Sequence, residues 1–253
     1  MTAPVAMFVQ AFDGGAALAM AMLVAAIAAR SAAAFGGKAA DISPAVILLS
    51  VGFGAGTAIA VVGGFSGAVG GIPGIVLLAL SLVIPLAIGV TFAFASRGFQ
   101  RLISQSEIQP SVVMVHALRI IEGSVFVVMV PLGVLLAIFA LPAGLGDVLV
   151  GLGAFVASRR IRSGRWGLAI WWNLFGLLDL ANAAVLGLMT QPGPLHVLQT
   201  SPTSALLLAS PLVIVPTFIV PIYVLLHLIS VRFLVASRSA AQPLLAVKLE
   251  TSA

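Results

Sequence analysis

The placement of basic residues constrains this chain more than any other feature. Eleven of its twelve Lys and Arg residues fall in four short stretches between long apolar runs. They are Arg30 and Lys38; Arg97 and Arg101; Arg159, Arg160, Arg162 and Arg165; and Arg232, Arg238 and Lys248. The alternate turns, near residues 63–71, 140–144 and 190–203, carry none. Basic loops stay in the cytoplasm, so the pattern predicts seven membrane spans with the N-terminus outside and the C-terminus in the cytoplasm.

The composition also indicates a membrane protein. Only 8% of the residues are charged and 61% are hydrophobic, whereas a soluble domain carries about 25% charged residues. The net charge of +5 comes from residues at span ends, which meet lipid headgroups, so we predict the lipid bilayer as partner and no nucleic acid. The inner (plasma) membrane is the predicted location. Cysteine is absent, which excludes disulfides, thiolate metal sites and Cys nucleophiles.

We expect an all-α, polytopic transmembrane helix bundle that forms a single integral membrane domain. A span needs about 20 apolar residues. Predicted spans lie near residues 6–29, 43–62, 72–96, 112–139, 141–158, 166–189 and 205–233, and residues 234–253 form a short cytoplasmic tail. The fifth span is short, with Pro142 in its entry turn, and the seventh carries central prolines at Pro211, Pro216 and Pro221.

Ionisable residues within spans are costly and usually face the bundle interior with a partner. The chain has five of them: Asp13, Arg119, Glu122, Asp147 and Asp179. His116, Arg119 and Glu122 follow one another at spacings of three, which puts them on one helical face. Arg119 and Glu122 are therefore expected to pair. The pair is either a structural salt bridge or the lining of a cavity open to the cytoplasm.

Asp147 and Asp179 lie on antiparallel, consecutive spans and differ in predicted depth by only ~5 Å. The two carboxylates are therefore expected to face each other, with Asn182 on the same side as Asp179. One interpretation is structural, with each Asp capping backbone or accepting from Asn or Trp side chains. The other is a binding site for a proton or cation.

Two histidines, His116 and His227, fall at similar depth on different spans. Paired histidines can ligate a haem iron, and a hydrogen bond from each ring to a carbonyl or headgroup is the alternative. The sequence names no other cofactor and no metal site or catalytic residue.

Gly144-Leu145-Gly146-Asp147 resembles the Gly-x-Gly-Asp motif of intramembrane aspartyl proteases. The resemblance implies two aspartates sharing a proton, with Asp179 as the second. The chain departs from the family in two ways. The Gly-x-Gly-Asp residue precedes its partner, and Pro142-Ala143 continues with Gly144 where the family has Pro-Ala-Leu.

A broader resemblance covers the C-terminal half of the chain. It is carried by Phe139-Ala140-Leu141-Pro142-Ala143-Gly144-Leu145-Gly146-Asp147, by Trp172-Asn173-Leu174-Phe175-Gly176-Leu177-Leu178-Asp179-Leu180, and by Pro216-Thr217-Phe218-Ile219-Val220-Pro221 ending in His227. These segments are similar to a group of uncharacterised bacterial multi-pass membrane proteins. The similarity implies a membrane location and no activity.

Three functions follow from these features. The preferred one is a carrier that moves a small solute with a proton or cation bound at Asp147 and Asp179. The second is a structural or accessory subunit that binds a membrane-protein partner or a second copy of the chain. The third is an intramembrane enzyme resembling an aspartyl protease, or a haem-binding redox protein, and a non-enzyme is favoured over an enzyme.

Overall fold

A computed structural model describes residues 71–95, 104–208 and 212–250, together with residues 15, 19–27, 29–30, 33 and 100. The described residues form helices and turns, with no strand among them. The all-helical prediction is thereby confirmed for this part of the chain. The predicted second span, residues 43–62, and Asp13 lie outside the described residues.

Residues 19–27 are helical, and six α-helices with defined limits follow from residue 71 onward. They are α1, Gly71–Ala95; α2, Gln109–Met114; α3, Arg119–Met129; α4, Ala137–Arg162; α5, Gly167–Met189; and α6, Val220–Glu250. A 3-10 turn, Val115–Leu118, joins α2 to α3, and a π-helix, Val215–Ile219, leads into α6. A second 3-10 segment, Ser204–Leu208, lies in the connection between α5 and α6.

Four helical runs are long and apolar enough to cross a bilayer: Gln109–Met129, Ala137–Arg162, Gly167–Met189 and Val215–Ser237. Their outer faces carry large apolar side chains, including Leu149 at 59% exposed, Leu178 at 69% and Trp171 at 71%. Such a surface is favourable against lipid and unfavourable against water. Helices and surface together indicate a membrane protein.

The third and sixth predicted spans agree with α1 and α5 to within one residue. The fourth does not, because the helix ends at Met129 rather than Phe139. Pro131 cannot continue the hydrogen-bond ladder, and Gly133 adopts φ 68°, which only glycine takes without strain. Because residues 134–140 are apolar, a hydropathy pattern does not reveal this turn.

The fifth span is also longer than predicted. It runs over 26 residues, Ala137–Arg162, with Pro142 inside the helix rather than in an entry turn. The seventh begins later than predicted, at Val215 instead of Ala205. Pro216 and Pro221 therefore lie in its first turns and not at its centre, and Pro211 lies outside the described residues. A proline near a helix start removes a donor that the first turn leaves unpaired anyway. The predicted tail beyond Phe233 is helical to Glu250.

Three apolar clusters fill the bundle along its length. One contains Phe126, Phe139 and Leu212, beside the 130–136 turn. Another contains Val150, Trp172 and Phe233, toward the arginine-rich end of α4. The third packs Val115, Phe218 and Ile222 against Met20. Asp147 follows Ala143 of the first cluster and precedes Val150 of the second, which puts this carboxyl group between the two clusters.

Candidate functional site

Arg119 is the centre of a buried polar group that joins three helices. Its side chain is completely buried at the start of α3. The guanidinium Nε donates to Oδ1 of Asp147 on α4 at 2.6 Å, and a terminal nitrogen donates to Oδ2 of Asp179 on α5. The two aspartates therefore share one cation, which lies between them.

Glycines set the close approach that this geometry requires. A Cβ on Gly144 would lie 2.6 Å from the carbonyl oxygen of Gly123, so the backbones of α3 and α4 are in contact. A Cβ on Gly146 would collide with the Asp179 carboxylate. Small residues allow this kind of contact between membrane helices. The Gly-x-Gly-Asp segment therefore brings Asp147 to Arg119 and makes room for Asp179.

His227 of α6 adds a fourth side chain to the polar group around Arg119. Its Nε2 lies 3.4 Å from a terminal nitrogen of Arg119, and its Nδ1 lies 2.9 Å from Oδ1 of Asn173. We refer to Arg119, Asp147, Asp179 and His227 as the Arg119 cluster.

The Asn173 amide fixes the histidine tautomer. Its nitrogen donates to the carbonyl of Ala169 at 2.8 Å and to Oγ of Ser230 at 3.1 Å. Its oxygen must then accept, so the hydrogen-bond network assigns the proton of His227 to Nδ1. The free lone pair on Nε2 faces Arg119, which can only donate.

His116 belongs to an aromatic stack behind the cluster. Its ring centroid lies 3.9 Å from that of His227 and 5.1 Å from that of Tyr223. Trp172 approaches it edge-on at 5.2 Å and donates from Nε1 to the carbonyl of Val150 at 2.9 Å. The stack holds His116 fully buried in the 3-10 turn.

The contact between the two histidine rings contradicts the predicted haem site. A haem iron with two histidine ligands lies between their ring nitrogens, with the porphyrin plane separating the rings. His116 and His227 touch each other directly, so no room for that group exists between them. The two rings pack together instead of facing each other across a cofactor.

The predicted protease dyad does not fit the geometry either. Such enzymes need two carboxyls that share a proton and activate a water. Here each carboxylate accepts from the guanidinium of Arg119, which occupies the position between them. The guanidinium of Arg119 is directed at carboxylates of α4 and α5, which the predicted pair with Glu122 of its own helix did not include.

A cavity of about 260 Å³ opens beside the cluster. Glu122, Asp147 and Tyr223 line it, and the rest of its wall is largely apolar. Those apolar residues include Val83, Phe126, Phe139, Leu180, Ala184 and Ile219. Asn182, predicted to join Asp179, lies on the exposed side of α5 instead.

The charges of the group do not balance. Asp147 and Asp179 carry two formal negative charges against the single formal positive charge of Arg119. A buried excess of negative charge is unfavourable in a low-dielectric interior. A proton or a cation taken up here would offset it. The described residues contain no group of three or more His, Cys, Asp or Glu side chains placed to hold a metal ion.

Two residues that the sequence did not single out complete the arrangement. Ser230 accepts from Asn173 and so helps to fix the histidine. Gly176 faces His227 so closely that a Cβ there would collide with the ring. The signal for Gly176 was its position one helical turn before Asp179, on the same face of α5.

The fold and this site indicate a helical membrane protein with ionisable side chains in its interior. The chain belongs to the family described as Domain of unknown function (DUF8737), which matches residues 75–235. The match spans every residue of the Arg119 cluster. No curated protein and no solved structure matches the chain. The expectation of an uncharacterised family is confirmed.

Proposed function

We propose that this protein is a carrier that moves a small solute together with a proton or a cation. Asp147 and Asp179 bind the proton or cation, and Arg119 holds the two carboxylates together. The observation that carries the proposal is one guanidinium shared by two carboxylates inside apolar helices. Ionisable groups in membrane spans mark ion pathways and proton relays because their burial is otherwise too costly.

The excess of carboxylates over guanidinium groups supports an ion-binding site rather than a purely structural salt bridge. A single salt bridge needs one carboxylate for one guanidinium, and the second carboxylate adds a charge that Arg119 cannot neutralise. Occupancy by a proton or cation removes that charge. Loss of the proton or cation restores it, so the cluster has two charge states that differ in stability.

The position of Asp147 connects the ion site to a solute site. Asp147 belongs to the Arg119 cluster and also lines the cavity. A solute in the cavity and a proton at Asp147 therefore act on the same side chain. Shared contacts of this kind produce reciprocal coupling of the two affinities, which a coupled carrier requires.

The proposed topology is seven spans in a bacterial inner membrane, with the N-terminus outside and the C-terminus in the cytoplasm. Arg159, Arg160 and Arg162 lie at the end of α4, while the turns at 130–136 and 190–208 contain no Lys or Arg. The positive-inside rule supports a cytoplasmic position for the arginine-rich end. A reporter fused after Pro194 should be located outside the cell, and a cytosolic reporter would contradict this topology.

Proton flux into proteoliposomes tests the function. A pH-sensitive dye trapped inside the vesicles should report flux with the unchanged protein and lose it with Asp147→Asn and with Asp179→Asn. Glu107→Gln is the matched control, because Glu107 is exposed outside the spans. If both aspartate variants remain folded and conduct like the control, the carrier proposal is wrong and the cluster has a structural or accessory role.

A further inference from the structure

We infer that the cavity beside the Arg119 cluster binds the single alkyl chain of an uncharged lipophilic molecule, which enters from the bilayer beside α1. The inference rests on the proposed function for the idea that the bound molecule is transported. It deepens that proposal by naming the chemical class of the solute. The walls of the cavity, its length and its continuity with the lipid-facing surface each support it.

The walls of the cavity are apolar because single apolar faces of two helices border it. On α5 the lining residues recur at spacings of three and four, which places them on one helical face. They are Leu180, Ala183, Ala184, Gly187 and Leu188. Residues 79, 82 and 83 give the same spacing on α1. Three of the five residues on α5 are Ala or Gly, so this face leaves space that larger side chains would fill.

The ionisable side chains that line the cavity already have partners in the protein. Asp147 accepts from Arg119 at 2.6 Å, and the Glu122 carboxylate interacts with the Tyr223 hydroxyl. A polar ligand would have to replace these contacts, and a buried polar group that loses its partner is costly. An apolar guest leaves them intact, so the lining favours an uncharged chain.

The cavity is long rather than round. Its lining on α5 begins at Leu180, next to Asp179 of the Arg119 cluster, and continues through Leu188 to Gln191 beyond the end of the helix. Leu180 and Leu188 alone are ~12 Å apart along the helix axis. That distance exceeds the diameter of about 8 Å that a sphere of the cavity's 260 Å³ would have. An extended alkyl chain fits such a space better than a compact ring does.

The cavity is continuous with the surface that faces lipid. Val83 of α1 lines the cavity and is 56% exposed, and Leu195 lines it and is 42% exposed. After Pro85 the α1 helix is in close contact with α6, where a Cβ on Gly89 would lie 2.7 Å from Leu225. Before Pro85 it borders the cavity. An alkyl chain can therefore pass from the bilayer into the cavity without crossing water.

An alkyl chain is also the occupant that these surroundings favour. A space with apolar walls is unfavourable for water. Wall atoms without neighbours lose their dispersion contacts, and a chain that fills the space restores them. The hydrocarbon of the bilayer lies at the exposed edge of the cavity and supplies chains of this kind.

Photolabelling with an alkyl probe tests the inference. The probe is hexadecanol with a diazirine on its alkyl chain, which light converts to a carbene that inserts into neighbouring bonds. The purified full chain is labelled in phosphatidylcholine nanodiscs, and mass spectrometry locates the labelled residues. We expect label on Phe139 or Leu180, which line the cavity and are only 3% and 5% exposed. Label confined to exposed residues such as Leu178 would overturn the inference and indicate that protein fills the cavity.

Competition distinguishes a binding site from solution in the surrounding lipid. A roughly tenfold excess of hexadecanol without the diazirine should lower the label on the cavity residues by about tenfold, because the two molecules exclude each other from one site. The label on Leu178 should change little, since a lipid-exposed surface has no such limit. An equal change at both places would refute a discrete site.

Two variants of α5 locate the binding. Ala184→Leu should lower the label on Phe139 several-fold, because the larger side chain fills the cavity. Ala181→Leu adds the same atoms on the exposed side of the helix and should be labelled like the unchanged protein. Unaltered labelling in Ala184→Leu would place the chain elsewhere. The competition experiment decides the matter in the unchanged protein if Ala184→Leu fails to fold.

The results separate this inference from the carrier proposal. If hexadecanol labels the cavity but proton flux survives in Asp147→Asn and Asp179→Asn, the carrier proposal fails and the binding site stands. If the flux depends on the aspartates but hexadecanol does not label the cavity, the solute class is wrong and the carrier proposal stands.

Discussion

The contact between α3 and α4 and the contact between α5 and α6 stabilise one bundle in different ways. Between α3 and α4 the glycines at 123 and 144 bring backbone against backbone. Between α5 and α6 the side chains of Asn173, His227 and Ser230 form a chain of hydrogen bonds. The α3–α4 contact requires that residues 123 and 144 have no side chain. The α5–α6 contact requires that each hydrogen-bonding side chain is present.

Arg119 lies where these two contacts meet. It starts on α3, reaches Asp147 through the close α3–α4 contact, and touches His227 at the edge of the α5–α6 contact. In lipid, helices gain little from burying apolar surface against each other, so close packing and hydrogen bonds decide their arrangement. The difference between the two contacts therefore predicts which substitutions each tolerates.

The largest effect should come from removing the cation that the two contacts share. Arg119→Gln leaves the buried Asp147 and Asp179 without their partner, which should lower the free energy of unfolding by about 3–5 kcal/mol. Unfolding in SDS–detergent mixtures measures the loss. Arg159→Gln is the control, because Arg159 is exposed at the end of α4. An equally small effect of both substitutions would show that Arg119 does not hold the bundle together.

A methyl group in the α3–α4 contact should have the next largest effect. In Gly123→Ala the new Cβ would lie 2.6 Å from Cβ of Asp147 and 3.0 Å from the backbone nitrogen of Val148. Backbone atoms cannot rotate away, so we expect a loss of about 3 kcal/mol. Gly167→Ala, where a Cβ meets nothing within 4 Å, should be neutral or slightly stabilising. Comparable losses in the two variants would mean that α3 and α4 are not in close contact.

A deletion in the α5–α6 contact should cost somewhat less. Asn173→Ala removes the acceptor for Nδ1 of His227 and the donor to Ser230. Leaving these buried groups unpaired should cost about 2 kcal/mol. Asn182→Ala, on the exposed side of the same helix, should change the free energy of unfolding little. If Asn182→Ala destabilised the protein more than Asn173→Ala, the assignment of Asn173 to the buried side of α5 would be wrong.

The smallest effect should come from the aromatic stack. Trp172→Phe keeps most of the ring but loses the hydrogen bond from Nε1 to the carbonyl of Val150, at a cost of about 1 kcal/mol. Trp171→Phe is the matched control, since Trp171 is 71% exposed and should tolerate the change. A larger loss for Trp171→Phe would contradict the assignment of Trp171 to the outer surface.

The sequence predicted the helices whose ends carry clear signals. The α5 helix starts after a Gly-Arg turn and ends before Pro192, and its predicted limits were accurate. The end of α3 was missed because Val134, Leu135 and Leu136 continue the apolar pattern through a turn. Hydropathy reports burial in lipid, and it cannot separate a buried turn from a buried helix.

The candidate site was predicted in part for a related reason. Depth along consecutive spans predicted that Asp147 and Asp179 face each other, but it did not predict that the Arg119 guanidinium lies between them. Spacing along one helix suggested Glu122 as the partner of Arg119, because sequence spacing reveals only neighbours on the same helix. The contacts of Arg119 with α4 and α5, and of His227 with Asn173, depend on how closely the helices approach, which the glycines set through packing.

A double-mutant cycle between Arg119 and Asp179 tests most directly the claim that one guanidinium joins the helices at this site. The free energies of unfolding of Arg119→Gln, Asp179→Asn and the double variant would be compared with that of the unchanged protein. We expect the double variant to lose less than the sum of the single losses, with a coupling energy of at least about 1 kcal/mol. Strictly additive losses would show that Arg119 and Asp179 do not interact, and would contradict the account.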